Sequence, residues 1–473
     1  MCNKFLFILL YAFYGGPAFS QVDSLETVVD TLEVEEQPVV YGDNKIANTA
    51  ALQKFFEKLY TLEVTGKGKV NILHVGDSHI QADLFTGVIR KNLQYKFGNA
   101  GLGFSFPYNL AKTNGSYYIR YSSNESWSSY RNINPVNGNP VGLSGIALTT
   151  NARDFAMEIN VKDPAYEFNT LKILTPQGQN LFDVATSSKT IVLESNVPKK
   201  INHKIKKGEV ISIIAEKYNI SVAELKRANG LKNNNIRAGK TLRIPTNEMQ
   251  KKSIKRSEFI PLSLEQQDGA YSYYNAETIK KIYLLPNKNA SRFALNGLVF
   301  EKDNPGIVYN SIGVNGAKFS DYNKYPLFFD QVPALRPDLV IVSLGTNETF
   351  DKMDVTAYMA QLNQFVETIR QKNPEAEILV MTPPPSLLYR RSLNTFAADY
   401  TREINTQSES RQHAVWDMFS IFGGLYGVNR NYRQGLMAGD KVHYSKAGYE
   451  KQGTLFTEAL LQAYENYKTN LKN

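Results

Sequence analysis

The stretch that most limits what this chain can fold into is residues 70 to 83, Val-Asn-Ile-Leu-His-Val-Gly-Asp-Ser-His-Ile-Gln-Ala-Asp. Val70 to Val75 is apolar and β-prone, so it reads as a buried strand, and it stops at Gly76-Asp77-Ser78, where the chain can turn into a helix. Ser78 then stands at the C-terminal edge of that strand, with the N–H groups of the next helix pointing into the adjoining cleft. A nucleophile is useful there. The blander reading is a helix N-cap, the commonest reason for Asp-Ser after a strand.

The surroundings of this stretch alternate strand and helix. Thr49 to Tyr60 puts Leu52, Phe55, Phe56 and Leu59 on one helical face, and Ala82 to Phe97 is helical up to Gly98 and the turn through Gly103. The pattern returns after Phe300, with strands at Gly306 to Ile312, Asp338 to Leu344, Glu377 to Met381 and Ala414 to Phe419. A helix over Val355 to Ile369 lies among them. Such alternation predicts an α/β fold, a doubly wound and mostly parallel sheet with its ligand cleft at the strand C-termini.

Between these halves, residues 104–300 are rich in Tyr, Ser, Asn and Gly. Short β-prone runs recur there: Tyr117 to Tyr121, Phe155 to Val161, Leu171 to Leu174, Thr190 to Glu194, Ile279 to Leu285 and Arg292 to Phe300. Regular spacing with turn signals predicts a β-sandwich inserted into the α/β domain, since an excursion of this length is no loop. Within it, residues 201–245 form a smaller strand–helix–helix–strand unit: His203 to Ile205, Val210 to Tyr218, Ser221 to Ala228 and Thr241 to Ile244. Basic runs at Lys199-Lys200 and Lys251 to Arg256 flank it and read as exposed tethers.

The βααβ unit resembles a LysM module through Gly208-Glu209-Val210, Ile213-Ile214-Ala215, Ala228-Asn229-Gly230-Leu231, Gly239-Lys240 and Leu242-Arg243-Ile244-Pro245. The resemblance implies binding of N-acetylglucosamine-containing glycans at Gly208, Glu209, Val210, Gly230 and Leu231. Glu209-Val210 replaces the usual Asp-Thr.

Four polar blocks sit at strand ends or on late loops: Ser78, Gly316, Asn347 in Gly345-Thr346-Asn347-Glu348, and Asp440-Lys441-Val442-His443. A serine hydroxyl needs a base, and the base needs an orienting carboxylate. Asp440 and His443 stand three apart before a helix that begins near Ser445. Taken singly, each block has a structural reading as a cap, a turn glycine or a surface loop. Together, in this order, they resemble the SGNH (GDSL-type) hydrolases. That resemblance implies Ser78 as nucleophile, His443 as base and Asp440 as its orienting partner. It implies an oxyanion hole from the Ser78 and Gly316 N–H groups and the Asn347 amide, with no metal and no cofactor. His79 stands where the name-giving motif has Leu and receives no role.

Residues 1–20 carry one Lys, an apolar stretch from Phe5 to Tyr14 and small residues at Ala18 and Ser20, the pattern of a signal peptide. Ten apolar residues are too few to span a bilayer, which takes about 20. Residues 21–45 hold seven acidic residues and read as a solvated linker, whereas from Lys45 onward 53 Lys and Arg stand against 38 Asp and Glu. The lone Cys2 lies in the predicted signal, which leaves no Cys nucleophile, Cys-ligated zinc or disulfide for an exported chain. A basic exported protein suits an anionic wall polymer better than nucleic acid. The expected organisation is therefore a hydrolase domain in two parts, 46–103 and 301–473, split by the insertion at 104–300 with the LysM unit at 201–245.

The two insertions narrow the substrate, because a carbohydrate-binding-like sandwich in an SGNH enzyme resembles bacterial peptidoglycan O-acetylesterases. The expectation is an exported esterase of the periplasm or cell envelope that removes acetyl groups from peptidoglycan muramic acid. Other acetylated glycans, such as xylan, pectin or host sialoglycans, are the alternative substrates, and a non-catalytic wall-binding adaptor is the alternative of another class.

Overall fold

The computed structural model describes residues 38–472 except 135, 194–195, 252–253 and 268. The predicted signal and most of the acidic linker lie outside the described residues. The linker's last part is not a solvated tether. Gly42 N–H donates to the Ser420 carbonyl at 2.8 Å, and the Asn44 side chain accepts from Trp416 Nε1 at 3.1 Å, which leads the chain into a short strand, Ile46–Ala47.

The central sheet has six strands, in the order Ile46–Ala47, Ala414–Trp416, Glu377–Met381, Leu339–Ser343, Lys69–Gly76 and Gly306–Gly313. All neighbours are parallel except the first pair. Period-2 alternation explains why both faces are apolar. Leu73, Val75, Val340, Val342, Ile378 and Val380 join one buried cluster, and Val70, Ile72, Leu339, Ile341, Leu379 and Met381 join the other. The second face is covered by helices Gln53–Thr65, Leu84–Phe97 and Lys446–Asn470, the first by Val355–Lys372 and by the insertion. Each fully buried Leu or Ile contributes roughly 1.5–3 kcal/mol, so the strand that delivers Ser78 is held from both sides. This is the doubly wound, mostly parallel α/β sheet that the alternation of strands and helices predicts.

The insertion contains two five-stranded antiparallel sheets and a three-stranded one. In the first sheet, Met157–Val161 alternates buried and half-buried side chains between Ile119–Ser123 and Lys281–Pro286. In the second, Gly103–Ser105 pairs with Gly297–Glu301, so the two crossing points of the chain lie side by side. The strand expected over Thr190 to Glu194 is not formed in 190–193; the strand of that region is Phe182–Thr186. The run Arg292 to Phe300 is interrupted at Asn296, whose side chain turns to the Pro140 carbonyl at 2.6 Å.

Residues 205–244 enclose their own core of Ile205, Ile211, Ile214, Ala215, Leu225, Leu242 and Ile244. Ser221 and Glu224 form a reciprocal capping box at the start of the second helix. Lys199-Lys200 and Lys251, at the inner ends of the flanking basic runs, belong to strands and are not loose tethers. Asn196–Lys204 and Thr241–Lys251 pair continuously as a two-stranded ribbon, with one irregularity between Pro198 and Lys200. Among the described residues no helix is long and apolar enough to cross a membrane.

Candidate active site

Ser78 opens the helical turn Ser78–Gln81 directly after its strand. A Cβ on Gly76 would come 2.3 Å from Ile80 Cγ1 and 2.8 Å from the Ser343 carbonyl oxygen, so glycine is what permits the tight exit. Asp77 caps the turn, its Oδ1 accepting from the His79 N–H at 2.9 Å.

Across 365 residues of sequence, the strand end meets the late loop. Ser78 Oγ lies 2.9 Å from His443 Nε2, and His443 Nδ1 lies 2.7 Å from Asp440 Oδ2. Asp440 Oδ1 accepts from the N–H groups of Val442 and His443 at 3.0 Å each. Partial burial pushes the Asp440 carboxyl up, but these hydrogen bonds and the adjacent imidazole outweigh it and hold the group below its ordinary value. An ionised Asp440 selects the tautomer protonated at Nδ1, which leaves Nε2 to accept the Ser78 proton.

The predicted oxyanion donors take two forms. The N–H groups of Ser78 and Gly316 have no acceptor among the described residues, and Gly316 is exposed at φ 83°. The Asn347 amide is engaged on both sides, donating to the Ala317 carbonyl at 3.0 Å and to Asp77 Oδ2 at 3.2 Å.

Several groups around the site have no role in the sequence reading. Asp77 is fully buried, and burial pushes its carboxyl up to about 7, against the opposing hydrogen bond from His79 and the charge of His443. Glu348 is likewise buried and raised to about 8, with its Oε1 accepting from the Phe319 N–H at 2.9 Å. The His79 ring lies 5.2 Å from that of His443, with Nδ1 3.0 Å from the Tyr449 hydroxyl. Burial, then the charge of His443, holds its pKa at about 3, so it lies beside the His443 ring as an uncharged imidazole. Gln81 takes the Asn315 N–H on its Oε1 at 2.6 Å and donates to the Asn114 carbonyl at 2.6 Å, tying the insertion to the Gly316 loop. The His79–Tyr449 and Gln81–Asn315 contacts join positions 370 and 234 residues apart, and only Asp77 carries a local sign, its place before the serine.

The LysM positions have unequal surroundings. Gly208 (φ 88°) and Gly230 (φ 64°) sit in open turns, and Val210 is half exposed. Leu231 packs partly onto the module's core. The Glu209 carboxylate is occupied internally, accepting from the Lys206 N–H at 2.7 Å and meeting His203 Nε2 at 2.8 Å. Those two bonds hold it below its ordinary value. A cavity of about 580 Å³ lies at the opposite, N-terminal edge of the central sheet, by Lys69, Asn71 and Asp338, and contains none of these groups.

Residues 288–451 match the family described as GDSL-like lipase/acylhydrolase, and residues 203–245 match the LysM domain. The chain therefore carries a GDSL-like lipase/acylhydrolase domain and a LysM domain. Among solved structures, one titled "Peptidoglycan O-acetylesterase in action, 5 min" aligns over 90% of this chain and 99% of its own, with 19% identity and a TM-score of 0.59, a likeness of fold. An acetyl xylan esterase aligns over 33% of this chain and 82% of its own at 17% identity, with a TM-score of 0.28. A lipase/acylhydrolase from Enterococcus faecalis aligns over 33% of this chain and 75% of its own at 18% identity, with a TM-score of 0.26. No curated protein matches the sequence.

Proposed function

We propose that this chain is an exported serine esterase that removes O-acetyl groups from a glycan, with peptidoglycan muramic acid as its substrate. The observation that carries the reading is the hydrogen-bonded series Ser78–His443–Asp440, with distances of 2.9 and 2.7 Å, at the C-terminal edge of a parallel sheet. In this reading Ser78 Oγ attacks the acetyl carbonyl carbon and its proton passes to His443 Nε2. The N–H groups of Ser78 and Gly316 receive the oxyanion, and Asn347 joins them by giving up its longer bond to Asp77. Collapse expels the sugar oxygen, which takes the proton from His443. Water, deprotonated by His443, then attacks the acetyl-enzyme and releases acetate.

The assignment to a wall glycan is supported by the LysM match and by the overall likeness to a structure titled as a peptidoglycan O-acetylesterase. It agrees with a basic chain, at +9 formal charge, meeting an anionic polymer. We place the hydrolase parts at 46–103 and 301–473, with a sandwich-like carbohydrate-binding insertion at 104–300 and the LysM module at 201–245. Gly208, Val210, Gly230 and Leu231 are the module's glycan contacts, and Glu209 braces their loop. Residues 1–20 direct export to the periplasm or envelope. The test is acetate release by the purified protein from O-acetylated peptidoglycan beside acetylated xylan and pectin. A preference for the plant polymers would remove the wall assignment, and no release from any of them would favour the non-catalytic adaptor.

A further inference from the structure

A short hairpin stands beside the proposed active site and is used by nothing described so far. Leu387–Leu388 pairs with Ser392–Leu393, and the Arg391 N–H closes the turn onto the Leu388 carbonyl at 3.1 Å. Its base is fastened on both sides of the catalytic groups. Leu387 N–H donates to the carbonyl of Lys441, the residue after Asp440, at 3.0 Å. Asn394 Nδ2, just past the hairpin, donates to Thr349 Oγ1 at 2.8 Å and to Ser386 Oγ at 2.9 Å, and Thr349 lies two residues beyond Asn347. The hairpin is thus held between the loop that carries the base and the helix that carries an oxyanion donor.

Its tip breaks the ordinary rule for such turns. The register Leu388↔Ser392 leaves a three-residue loop, and its first two residues, Tyr389 (φ 51°) and Arg390 (φ 67°), both lie at positive φ, a backbone region that favours Asn and Gly. A bulky residue in this region of backbone space is strained, and strain of this kind concentrates at functional sites. What the strained tip displays is specific. Tyr389 is 66% exposed and its ring meets that of Phe350, three residues after Asn347, edge-on at 6.3 Å between centroids. Arg390 and Arg391 are exposed and form no ion pair among the described residues.

We propose that the tip Tyr389-Arg390-Arg391, with Phe350, is a substrate-recognition subsite for the sugar that bears the scissile acetyl group. The Tyr389 face takes the apolar face of the sugar ring, and the two guanidinium groups take a carboxylate carried by the same polymer. An aromatic side chain with only two rotatable bonds presents such a face at low entropic cost, and an unpaired guanidinium offers two parallel donors to a carboxylate. A peptide-substituted wall glycan has both chemistries, whereas acetylated xylan lacks the dense carboxylates. The inference rests on the acetylated-glycan reading above.

The test is the double variant Tyr389→Asn/Arg390→Gly, which installs the residue pair the turn geometry favours while removing the recognition groups. Its thermal midpoint should equal or exceed that of the wild type, which separates lost recognition from lost folding. The readout is the ratio of kcat/KM on O-acetylated peptidoglycan to kcat/KM on p-nitrophenyl acetate. That ratio should fall about tenfold, through KM, and a ratio within twofold of wild type would overturn the subsite. A second variant, Arg390→Gln/Arg391→Gln, should lose more on peptidoglycan than on acetylated xylan. Equal loss on the two polymers would overturn the anionic half of the proposal. If the wild type itself prefers xylan, the wall assignment fails separately, and the tip is judged by the xylan to p-nitrophenyl acetate ratio on the same criterion.

Discussion

Replacing Asp77 by Asn should stabilise the protein at alkaline pH relative to acidic pH, and the size of the effect follows from burial. In the fold this carboxyl titrates at about 7 instead of its ordinary 3.8, because burial penalises its charged form. A raised folded value means that the fold holds a proton the unfolded chain has already lost. The resulting stabilisation is complete below about pH 4 and is lost as pH rises through 7. Between pH 5 and pH 8.5 wild type should lose about 3 kcal/mol from this group alone, at roughly 1.4 kcal/mol for each pH unit up to 7. The amide of the Asp77→Asn variant carries no such proton. It can still accept from the His79 N–H, as Asp77 Oδ1 does at 2.9 Å. Its nitrogen would face Asn347 Nδ2, a mismatch of about 1 kcal/mol that is the same at both pH values and cancels. Thermal melts of wild type and Asp77→Asn at pH 5 and pH 8.5 should show the variant gaining about 3 °C on wild type at the higher pH, for a cooperative unit of this size. A difference between the two proteins that does not change with pH would refute the argument that this carboxyl is dry.

Two further outcomes follow from the site and the module. Asn347→Ala should lower kcat on p-nitrophenyl acetate by about 10²–10³, the cost of one oxyanion donor, and a loss under threefold would remove Asn347 from that role. Deleting Lys200 to Thr246, which excises the module with its own core, should weaken co-sedimentation with wall sacculi. Unchanged sedimentation would make the module structural.

How far the sequence can be read depends on how local each determinant is. The central strands are legible because each is an apolar run buried on two faces, and Glu377–Met381 has the expected limits. The strand expected over Ala414 to Phe419 stops short at Trp416, since Asp417 caps a helix at Met418 by accepting from the Ser420 N–H at 3.0 Å. The ribbon that carries the LysM module is legible next to the module, where His203, Leu242 and Ile244 are buried, and hidden in its outer part, where the sequence from Asn196 to Lys200 and from Pro245 to Lys251 shows no alternating apolar pattern. The hairpin at Leu387 is hidden for the opposite reason: Leu-Tyr-Arg-Arg-Ser contains no strong turn-forming pair, and tertiary ties to Lys441 and Thr349 hold it instead. For the site, the blocks around Ser78, Gly316, Asn347 and Asp440 are each local and readable. Asp77, Gln81 and Glu348 owe their states to burial and to partners far along the chain.

The central claim is that Ser78 is the acyl-accepting nucleophile of an esterase acting on acetylated wall glycan. Its most direct measurement is acetate released from O-acetylated peptidoglycan by wild type and by Ser78→Ala, with circular dichroism to show that both are folded. Wild type should release acetate steadily, and the variant should lose at least about 10³-fold. Release by Ser78→Ala at the wild-type rate would contradict the claim.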